Sequence, residues 1–243
     1  MCGRYALSKL PDEIIEEFEI TAGLTGAILP FDWNIAPTKS IYIIRENQNR
    51  ARELATVSWG LIAPWSKSTA EAVKSQSQAI NARTESVHEK PTFRNAFLRR
   101  RCLIPASGYY EWATELGPYP SKQPFYISSA KPSAPTLVFA GIWDQWVDGN
   151  GQIWESASLI TRPAVDFLAT IHHRMPTFLP PDRWNDWLQI GNRAATELID
   201  LLDIPEPAAD LQAIPVSTKV NNARNAGSEL IKPIEIGEPE TLF

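Results

Sequence analysis

The chain has 243 residues, of which 44% are hydrophobic, and a formal net charge of -5. This length and apolar content suffice for one large domain with a buried core. No segment approaches the ~20 apolar residues of a membrane span, and the N-terminus lacks the charged and apolar regions of a signal peptide. We therefore expect a cytoplasmic protein. The acidic balance disfavours nonspecific nucleic-acid binding over the whole surface, but it allows a local basic groove.

Cysteine and histidine usage argues against a disulfide framework and against a metal centre. The chain has two cysteines, Cys2 and Cys102, and three histidines. Two cysteines cannot form the dense bridges of small secreted domains, and no zinc-ligand spacing such as C-x2-C is present. We expect no cofactor and no metal.

The first half of the chain combines helices with strands. "LPDEIIEEFEI" predicts a helix, because Pro11 lies in its first turn and Ile14, Ile15 and Phe18 follow the 3.6-residue period. "DWNIAPTKSIYIIREN" predicts a proline-bounded loop followed by a strand, and "ARELATVSWGLIAPW" predicts a strand that enters a turn. "STAEAVKSQSQ" is polar and exposed in this interpretation. "KPTFRNAFLRR" predicts a short helix.

The second half is dominated by strands. "RCLIPASGYYEW" predicts two strands joined by a turn, and three further strands follow in "PFYISS", "TLVFAGIWDQW" and "IWESASLITR". The turn "DGNG" indicates a hairpin between the last two. A helix is predicted from Pro163, and amphipathic helices in "DRWNDWLQI" and "RAATELIDLL". The order lacks regular βαβ alternation, so we predict one α+β domain over residues 1–243, with a mainly antiparallel sheet or barrel flanked by helices.

Cys2 follows the initiator methionine directly. Removal of Met1 would leave an α-amine and a thiol on adjacent carbons, which only an N-terminal cysteine has. Such an aminothiol condenses with an aldehyde to an imine and then closes to a thiazolidine ring. The alternative is a chance cysteine in a frayed terminus. Gly3 and Arg4 favour a functional role, because they offer close backbone approach and a fixed cation.

Glu111 is a lone acid among the aromatic residues of "GYYEW". It could be a strand-end carboxylate paired with an arginine. Glutamate is rarely buried without a reason, so we favour a general acid or base whose pKa is raised by apolar surroundings.

His172 and His173 lie together in "TIHHRMP". Histidine changes charge near neutral pH and so suits proton transfer. A polar helix C-terminus, where cations are favourable, explains the motif equally well.

Asn81 and Arg83 lie two residues apart in "INART". In an extended segment both side chains point to one face, where an amide and a guanidinium suit recognition of a phosphate or a reacting oxygen. The alternative is a polar turn.

Tryptophans lie beside prolines in "WNIAPT" and "WGLIAPW". Such loops can form stacking surfaces for unpaired bases, although packing explains any single tryptophan.

Together these segments resemble the SRAP (SOS response-associated peptidase) family of abasic site processing proteins. The resemblance rests on "MCGRY", "WNIAPT", "WGLIAPW", "INARTES", "FRNAFLRRRCLIPASGYYEW", "IHHRMP" and "PVSTKVNNARN". These motifs run in family order over about residues 1–232, and a short polar tail follows. "NNARN" and the long "STAEAVKSQSQ" segment depart from relatives and affect loop shape.

The resemblance implies that the protein binds abasic sites in single-stranded DNA, particularly at single-strand/double-strand junctions of replication forks. It implies a covalent thiazolidine crosslink through Cys2, which protects the lesion. The family name also implies autopeptidase activity, which would be minor where only Met1 precedes Cys2. A hydrolase, protease or lyase class, a role in DNA repair and the SOS response, a monomeric state and association with the nucleoid follow from the same resemblance.

The resemblance also assigns roles to residues. Cys2 would be the crosslinking residue, Asn81 would hold its amine or the sugar oxygen, Glu111 would be the acid or base, and His172 would protonate the ring oxygen. His173 falls at a variable position. The DNA contacts would come from Arg4, Pro37, Trp65, Arg83, Thr161 and Arg174, with the arginines and Thr161 at the backbone and Pro37 and Trp65 as wedge and stacking surface.

Two other functions are compatible with parts of the pattern. An N-terminal-nucleophile amidohydrolase would also expose Cys2, and would use it on an amide with the α-amine as base. A noncatalytic single-strand-binding module would leave Cys2 incidental and would form no covalent adduct.

Overall fold

A computed structural model describes residues 2–114, 116–191 and 193–236. The described α-helices are α1 (Pro11–Glu17), α2 (Thr69–Gln78), α3 (Pro91–Arg99), α4 (Pro181–Leu188) and α5 (Ala195–Leu202). The described strands are β1 (Arg4–Leu7), β2 (Leu24–Thr25), β3 (Asp32–Ile35), β4 (Ser40–Glu46), β5 (Arg52–Trp59), β6 (Asn81–Arg83), β7 (Arg101–Ala106), β8 (Gly108–Trp112), β9 (Pro124–Ser129), β10 (Leu137–Val147), β11 (Ile153–Pro163), β12 (Arg174–Pro176) and β13 (Leu211–Pro215). Met1 and most of the polar C-terminal tail lie outside the described residues.

Five strands close into a small barrel. Antiparallel pairing runs from β5 through β4, β7 and β10 to β11, and parallel pairing of Ser156 and Ala157 with Ser58 and Trp59 joins β11 back to β5. The two-residue β2 pairs with β5 in parallel, while β6 and β12 both pair with β11. Closure satisfies the backbone groups that an open sheet would leave at its edges.

A second, antiparallel sheet has the strand order β13-β9-β8-β1-β3. Tyr5 of β1 and Tyr109 of β8 pair across this sheet, and both rings contact Phe139 of the barrel strand β10 edge-to-face. One large hydrophobic core spans the two sheets. The α+β prediction with a barrel and flanking helices is therefore confirmed, and the N-terminal strand is held in the interior.

Most predicted elements are present, including α1 and the hairpin of β10 and β11 around the "DGNG" turn. The helix predicted from Pro163 is wrong. Pro163 ends β11 and pairs with Arg174, and a short 3-10 helix begins only at Asp166. Proline tolerates the end of a strand as well as the start of a helix, because its fixed φ suits both.

The polar segment after Trp65 forms α2, which the sequence interpretation left unassigned. Ser68 caps it by accepting a hydrogen bond from the Glu71 amide, and Ala72 and Gln76 are buried. The sequence also predicted a loop where β3 forms. Within the part of the chain that the structure describes, no helix is long and apolar enough to span a membrane.

Candidate active site

Cys2 lies just before β1 and is fully buried. Its thiol is 3.8 Å from the Arg4 carbonyl oxygen, and its own carbonyl oxygen accepts a 2.7 Å hydrogen bond from Asn81 Nδ2. Burial raises the pKa of this thiol well above its usual value, and the negative charge of Glu111 raises it further. The thiol is therefore protonated at neutral pH in this environment.

Asn81 begins β6, which runs parallel to β11. Its amide nitrogen is used by Cys2, whereas its Oδ1 is buried and has no hydrogen-bond partner among the described residues. A buried acceptor without a partner costs free energy. This oxygen is available to an N–H or O–H group brought to the site.

Glu111 lies on β8, the strand that pairs with β1. Arg4 of β1 pairs with Tyr110, so Glu111 lies beside the residues that precede β1. Glu111 is 4% exposed, and burial raises the pKa of its carboxyl group to about 7. A carboxyl group that titrates at neutral pH can both accept and return a proton.

His172 follows the 3-10 helix and precedes β12. Its Nδ1 is 3.9 Å from Glu111 Oε1 and accepts a 3.0 Å hydrogen bond from the Arg174 amide. The same Nδ1 lies 3.2 Å from the Arg174 carbonyl oxygen, so the Arg174 backbone offers a partner to Nδ1 with or without a proton. Burial lowers the pKa of His172 to about 4, so the ring is neutral at pH values near neutrality.

An open cleft of about 820 Å³ leads to this group. Glu111 and His172 line it together with Trp112, Lys122 and the exposed His173. The rings of the two histidines lie 4.2 Å apart between centroids. The structure thus brings together the four residues assigned to catalysis, with Glu111 and His172 facing the cleft and Cys2 below the surface.

Three of the residues predicted to contact DNA have open surface. Arg83 ends β6 and is exposed, Trp65 is 54% exposed, and Pro37 is half-buried in the loop after β3. Arg83 and Asn81 lie on one face of β6, as their two-residue spacing predicts, while Ala82 between them is buried. Contact of these residues with DNA stays a prediction.

Arg174 and Thr161 are buried. Thr161 is fully inaccessible, and its carbonyl oxygen accepts a 2.6 Å hydrogen bond from Arg174 Nη2. The Arg174 guanidinium also forms a two-point ion pair with Glu85, and the hydrogen bond from Arg174 holds the pKa of Glu85 down at about 2. Thr161 therefore supports Arg174 here instead of facing solvent, and direct DNA contact by either side chain stays a prediction.

Arg4 also makes protein contacts. Its Nη1 donates hydrogen bonds of 2.8 Å to Asn34 Oδ1 and to the Val220 carbonyl oxygen. Asn34 in turn donates to the carbonyl oxygens of Val220, Asn222 and Asn225. Through these hydrogen bonds, Arg4 and Asn34 hold the "STKVNNARN" segment beside β1.

Sequence reasoning missed Glu85 and Asn34. Glu85 follows Arg83 by two residues but lies in the turn after β6, so the alternation that paired Asn81 with Arg83 does not identify its ion pair with Arg174. Asn34 is a single amide between the apolar residues of "WNI", and such a residue is expected to be buried only with partners.

A model of the family described as SOS response associated peptidase (SRAP) matches residues 1–223. The chain belongs to the SRAP family. Among SRAP relatives, Abasic site processing protein YoaM of Bacillus subtilis (strain 168) is 34% identical over 95% of this chain and 97% of its own length. Abasic site processing protein HMCES of Gallus gallus is 30% identical over 83% of this chain and 63% of its own length.

Two solved structures share the fold of this chain. A protein from Bacteroides thetaiotaomicron matches with a TM-score of 0.83 at 25% identity, over 96% of this chain and 100% of its own. A protein from Bordetella bronchiseptica matches with a TM-score of 0.73 at 29% identity, over 89% of this chain and 100% of its own. The family resemblance drawn from the motifs is confirmed.

Proposed function

We propose that this protein captures abasic sites in single-stranded DNA by forming a covalent thiazolidine with the α-amine and thiol of Cys2 after Met1 is removed. The observation that carries the proposal is the grouping of Cys2, Asn81, Glu111 and His172 at one end of β1. The names of the SRAP relatives, which are abasic site processing proteins, support the substrate class.

The first step opens the abasic sugar to its aldehyde. In the proposed step the neutral His172 carries its proton on Nε2, while Nδ1 accepts from the Arg174 amide. In the proposal this N–H group donates to the sugar ring oxygen as the C–O bond breaks and the aldehyde forms. Glu111, whose Oε1 is 3.9 Å from His172 Nδ1, takes the proton of the sugar hydroxyl and passes it to Nδ1, which lies 3.2 Å from the Arg174 carbonyl oxygen. The imidazole therefore stays neutral, and Glu111 is again a carboxylate.

The second step joins the amine to the aldehyde carbon. Glu111 accepts a proton from the Cys2 ammonium group, and the freed amine attacks to give a carbinolamine. The same carboxyl returns a proton to the departing hydroxyl, so that one water leaves, and then takes the remaining proton of the nitrogen, which leaves a neutral imine. A pKa of about 7 suits both directions of this transfer.

The third step closes the ring. The Cys2 sulfur bonds to the imine carbon, its proton passes to the imine nitrogen, and no further atom is lost. Burial keeps the thiol protonated, so this proton is available where it is needed. The Asn81 side chain, already bonded to the Cys2 carbonyl, would orient the residue through all three steps.

The wider setting of the reaction is part of the same proposal. Residues 1–243 would act as a cytoplasmic monomer that associates with the nucleoid at single-strand/double-strand junctions of replication forks, in DNA repair linked to the SOS response. Removal of residues before Cys2 by the protein itself would be its peptidase activity. Arg83, Trp65 and Pro37 would contact the strand around the lesion.

A denaturing gel tests the crosslink. Purified protein is mixed with single-stranded DNA carrying one abasic site made from uracil, beside the same DNA without the lesion. We expect a heat-stable, slowly migrating band with abasic DNA only. Cys2→Ala should lose this band, while Cys102→Ala, which removes the other buried thiol, should keep it.

Two results would count against the proposal. A band of equal intensity from Cys2→Ala would place the crosslink elsewhere. No band from wild-type protein, with loss of Met1 verified by mass spectrometry, would favour the amidohydrolase or the simple binding module.

A further inference from the structure

Glu85 lies in the turn that follows β6, and no step of the proposed reaction uses its carboxylate. It nevertheless forms a two-point ion pair with Arg174. The side chain of Glu85 is 50% exposed, whereas that of Arg174 is 7% exposed. An acid at the surface therefore neutralises a buried cation that lies only two positions from His172.

The side chain of Arg174 crosses strand β11. Thr161 of β11 pairs both with Arg83 of β6 and with Pro176 of β12, so β6 and β12 lie along opposite edges of β11. Arg174 begins β12, and its Nη2 donates a 2.6 Å hydrogen bond to the Thr161 carbonyl oxygen. The same nitrogen donates a 3.1 Å hydrogen bond to Glu85 Oε2. The guanidinium thus connects β12 to the turn after β6.

The two segments that this guanidinium connects hold two of the groups proposed to react. On one side, the Arg174 amide donates a 3.0 Å hydrogen bond to His172 Nδ1. On the other side, Asn81 at the start of β6 donates a 2.7 Å hydrogen bond to the Cys2 carbonyl oxygen. The ion pair of Glu85 and Arg174 is therefore a side-chain link between the segment of His172 and the segment that holds Cys2.

The charge of Glu85 stabilises this link. The hydrogen bond from Arg174 holds the pKa of Glu85 down at about 2, so the carboxylate is ionised at neutral pH. A buried guanidinium that loses its counter-charge is strongly unfavourable. Without that charge Arg174 would turn towards solvent, and the backbone amide that orients the His172 ring would move with it.

We propose that Glu85 is a positioning residue for the opening of the abasic sugar, and that it acts through Arg174 on the His172 imidazole. The proposal rests on the proposed function, because it concerns the step that His172 performs there. Glu85 itself touches neither the sugar nor the reacting atoms. Its loss should therefore impair ring opening and spare the imine and thiazolidine steps.

Two substrates separate ring opening from the later steps. Glu85→Gln keeps the size of the side chain and removes its charge. In single-turnover assays with saturating protein, this variant should slow crosslinking of an abasic sugar about fivefold, because the imidazole is present but misplaced. On a strand that carries a preformed aldehyde, its rate constant should stay within about twofold of wild type.

A double variant tests whether Glu85 acts through the histidine. In a His172→Ala background, Glu85→Gln should cause no further slowing, because the group that it positions is gone. Additional slowing in that background would overturn the proposal. Equal slowing on both substrates, or an unchanged rate on the abasic sugar, would also overturn it. Faster crosslinking would do the same, and would mean that Glu85 holds Arg174 away from the DNA.

The matched control is Glu89→Gln, which removes one negative charge from the same turn. Glu89 is 71% exposed and lies 3.4 Å from His88 Nε2. This variant should leave the rate constants on both substrates unchanged. Slowing equal to that of Glu85→Gln would assign the effect to the charge of the turn and would overturn the role of Glu85.

A measurement without DNA separates this proposal from the proposed function. Ring signals of isotope-labelled histidine are recorded by NMR, and those of His172 are identified by their loss in His172→Ala. Glu85→Gln should shift the His172 signals, and Glu89→Gln should leave them in place. Unshifted His172 signals in Glu85→Gln would overturn the proposal. If wild-type protein forms no crosslink but the shift appears, the proposed function fails while the positioning of His172 by Glu85 stands.

Discussion

The two cysteines of this chain are both fully buried, yet their surroundings differ. Cys102 is the second residue of β7, and its carbonyl oxygen accepts a 2.9 Å hydrogen bond from Trp187 Nε1. Burial raises the pKa of its thiol, and the charge of Arg45 opposes this shift. Cys2 lies at the start of the chain, bonded to Asn81 and close to Glu111. Burial of the thiol alone therefore does not distinguish them.

The proposed reactivity therefore depends on where the cysteine lies in the chain. Cys102 has an amide nitrogen tied into the sheet, whereas Cys2 can carry a free amine once Met1 is gone. An amine and a thiol with a proton acceptor of pKa about 7 beside them form a reactive unit. A thiol in a sealed core is an inert small hydrophobe.

The largest effect is expected when the reactive unit is removed. Cys2→Ala should abolish heat-stable crosslinking to abasic DNA and leave noncovalent binding within about twofold, because no DNA contact is assigned to the thiol. Cys102→Ala should retain crosslinking and lose about 1 kcal/mol of unfolding free energy through a small cavity. Gel assays and chemical denaturation measure the two quantities.

Removal of the proton acceptor should be next in size. Glu111→Gln keeps the shape of the side chain but cannot exchange a proton, so the crosslinking rate constant should fall about 10²-fold. Single-turnover assays with saturating protein measure it. A rate equal to wild type would show that Glu111 is not the acid or base.

The histidine should have a smaller effect. His172→Ala should slow crosslinking about tenfold on an abasic sugar, but should have little effect on a DNA strand that carries a preformed aldehyde, since no ring must then open. His173→Ala is the matched control, because its ring is exposed beside His172. Equal slowing on both substrates would contradict the ring-opening role.

Stability should report the pKa of Glu111. Its pKa in the folded state, about 7, lies above the ordinary value of 4.5, so its stabilising contribution is present below about pH 4.5 and is lost as pH rises through 7. His172 has the opposite sign, with its contribution lost as pH falls towards 4. Comparison of a Glu111 variant with wild type separates the contribution of Glu111 to the unfolding free energy from that of His172.

The unfolding free energy of Glu111→Gln relative to wild type should therefore increase by up to about 3 kcal/mol between about pH 5 and pH 8. Urea denaturation at both pH values measures it. A difference that does not change with pH would mean that the carboxyl group titrates normally. Cys102→Ala should show no such change over this range, because its thiol remains protonated.

The smallest effect on DNA binding is expected at Arg83, the exposed residue at the end of β6. Arg83→Ala should weaken binding of abasic single strands about threefold and reduce the salt slope by about 0.7, as loss of one phosphate contact predicts. Lys131→Ala, far along the chain and paired with Asp210, is the control. Unchanged binding and salt slope would remove Arg83 from the interface.

Much of the fold and of the candidate active site could be predicted from the sequence. Periodicity and turn residues identified α1 and the hairpin of β10 and β11, and the family motifs identified the four residues that the fold brings together. Burial of Thr161 and the engagement of Arg4 could not be predicted, because both depend on pairing between distant segments. Thr161 lies opposite Arg83 only through the parallel register of β6 and β11.

The same limit applies to the helix expected at Pro163. Local propensity allowed a helix start there, but pairing with Arg174 of β12 extended β11 instead. Asn34 and Glu85 were missed for a related reason. Their partners, the Val220 carbonyl oxygen and Arg174, lie far away in sequence.

The most direct test of the central claim is the intact mass of the crosslinked protein, before and after treatment with borohydride. We expect a mass equal to Met1-free protein plus abasic DNA minus one water, unchanged by borohydride because a closed thiazolidine has no C=N bond to reduce. A gain of two hydrogens would show that the link stops at an imine and that the Cys2 thiol takes no part. An adduct that retains Met1 would place the crosslink away from the Cys2 amine and would contradict the account.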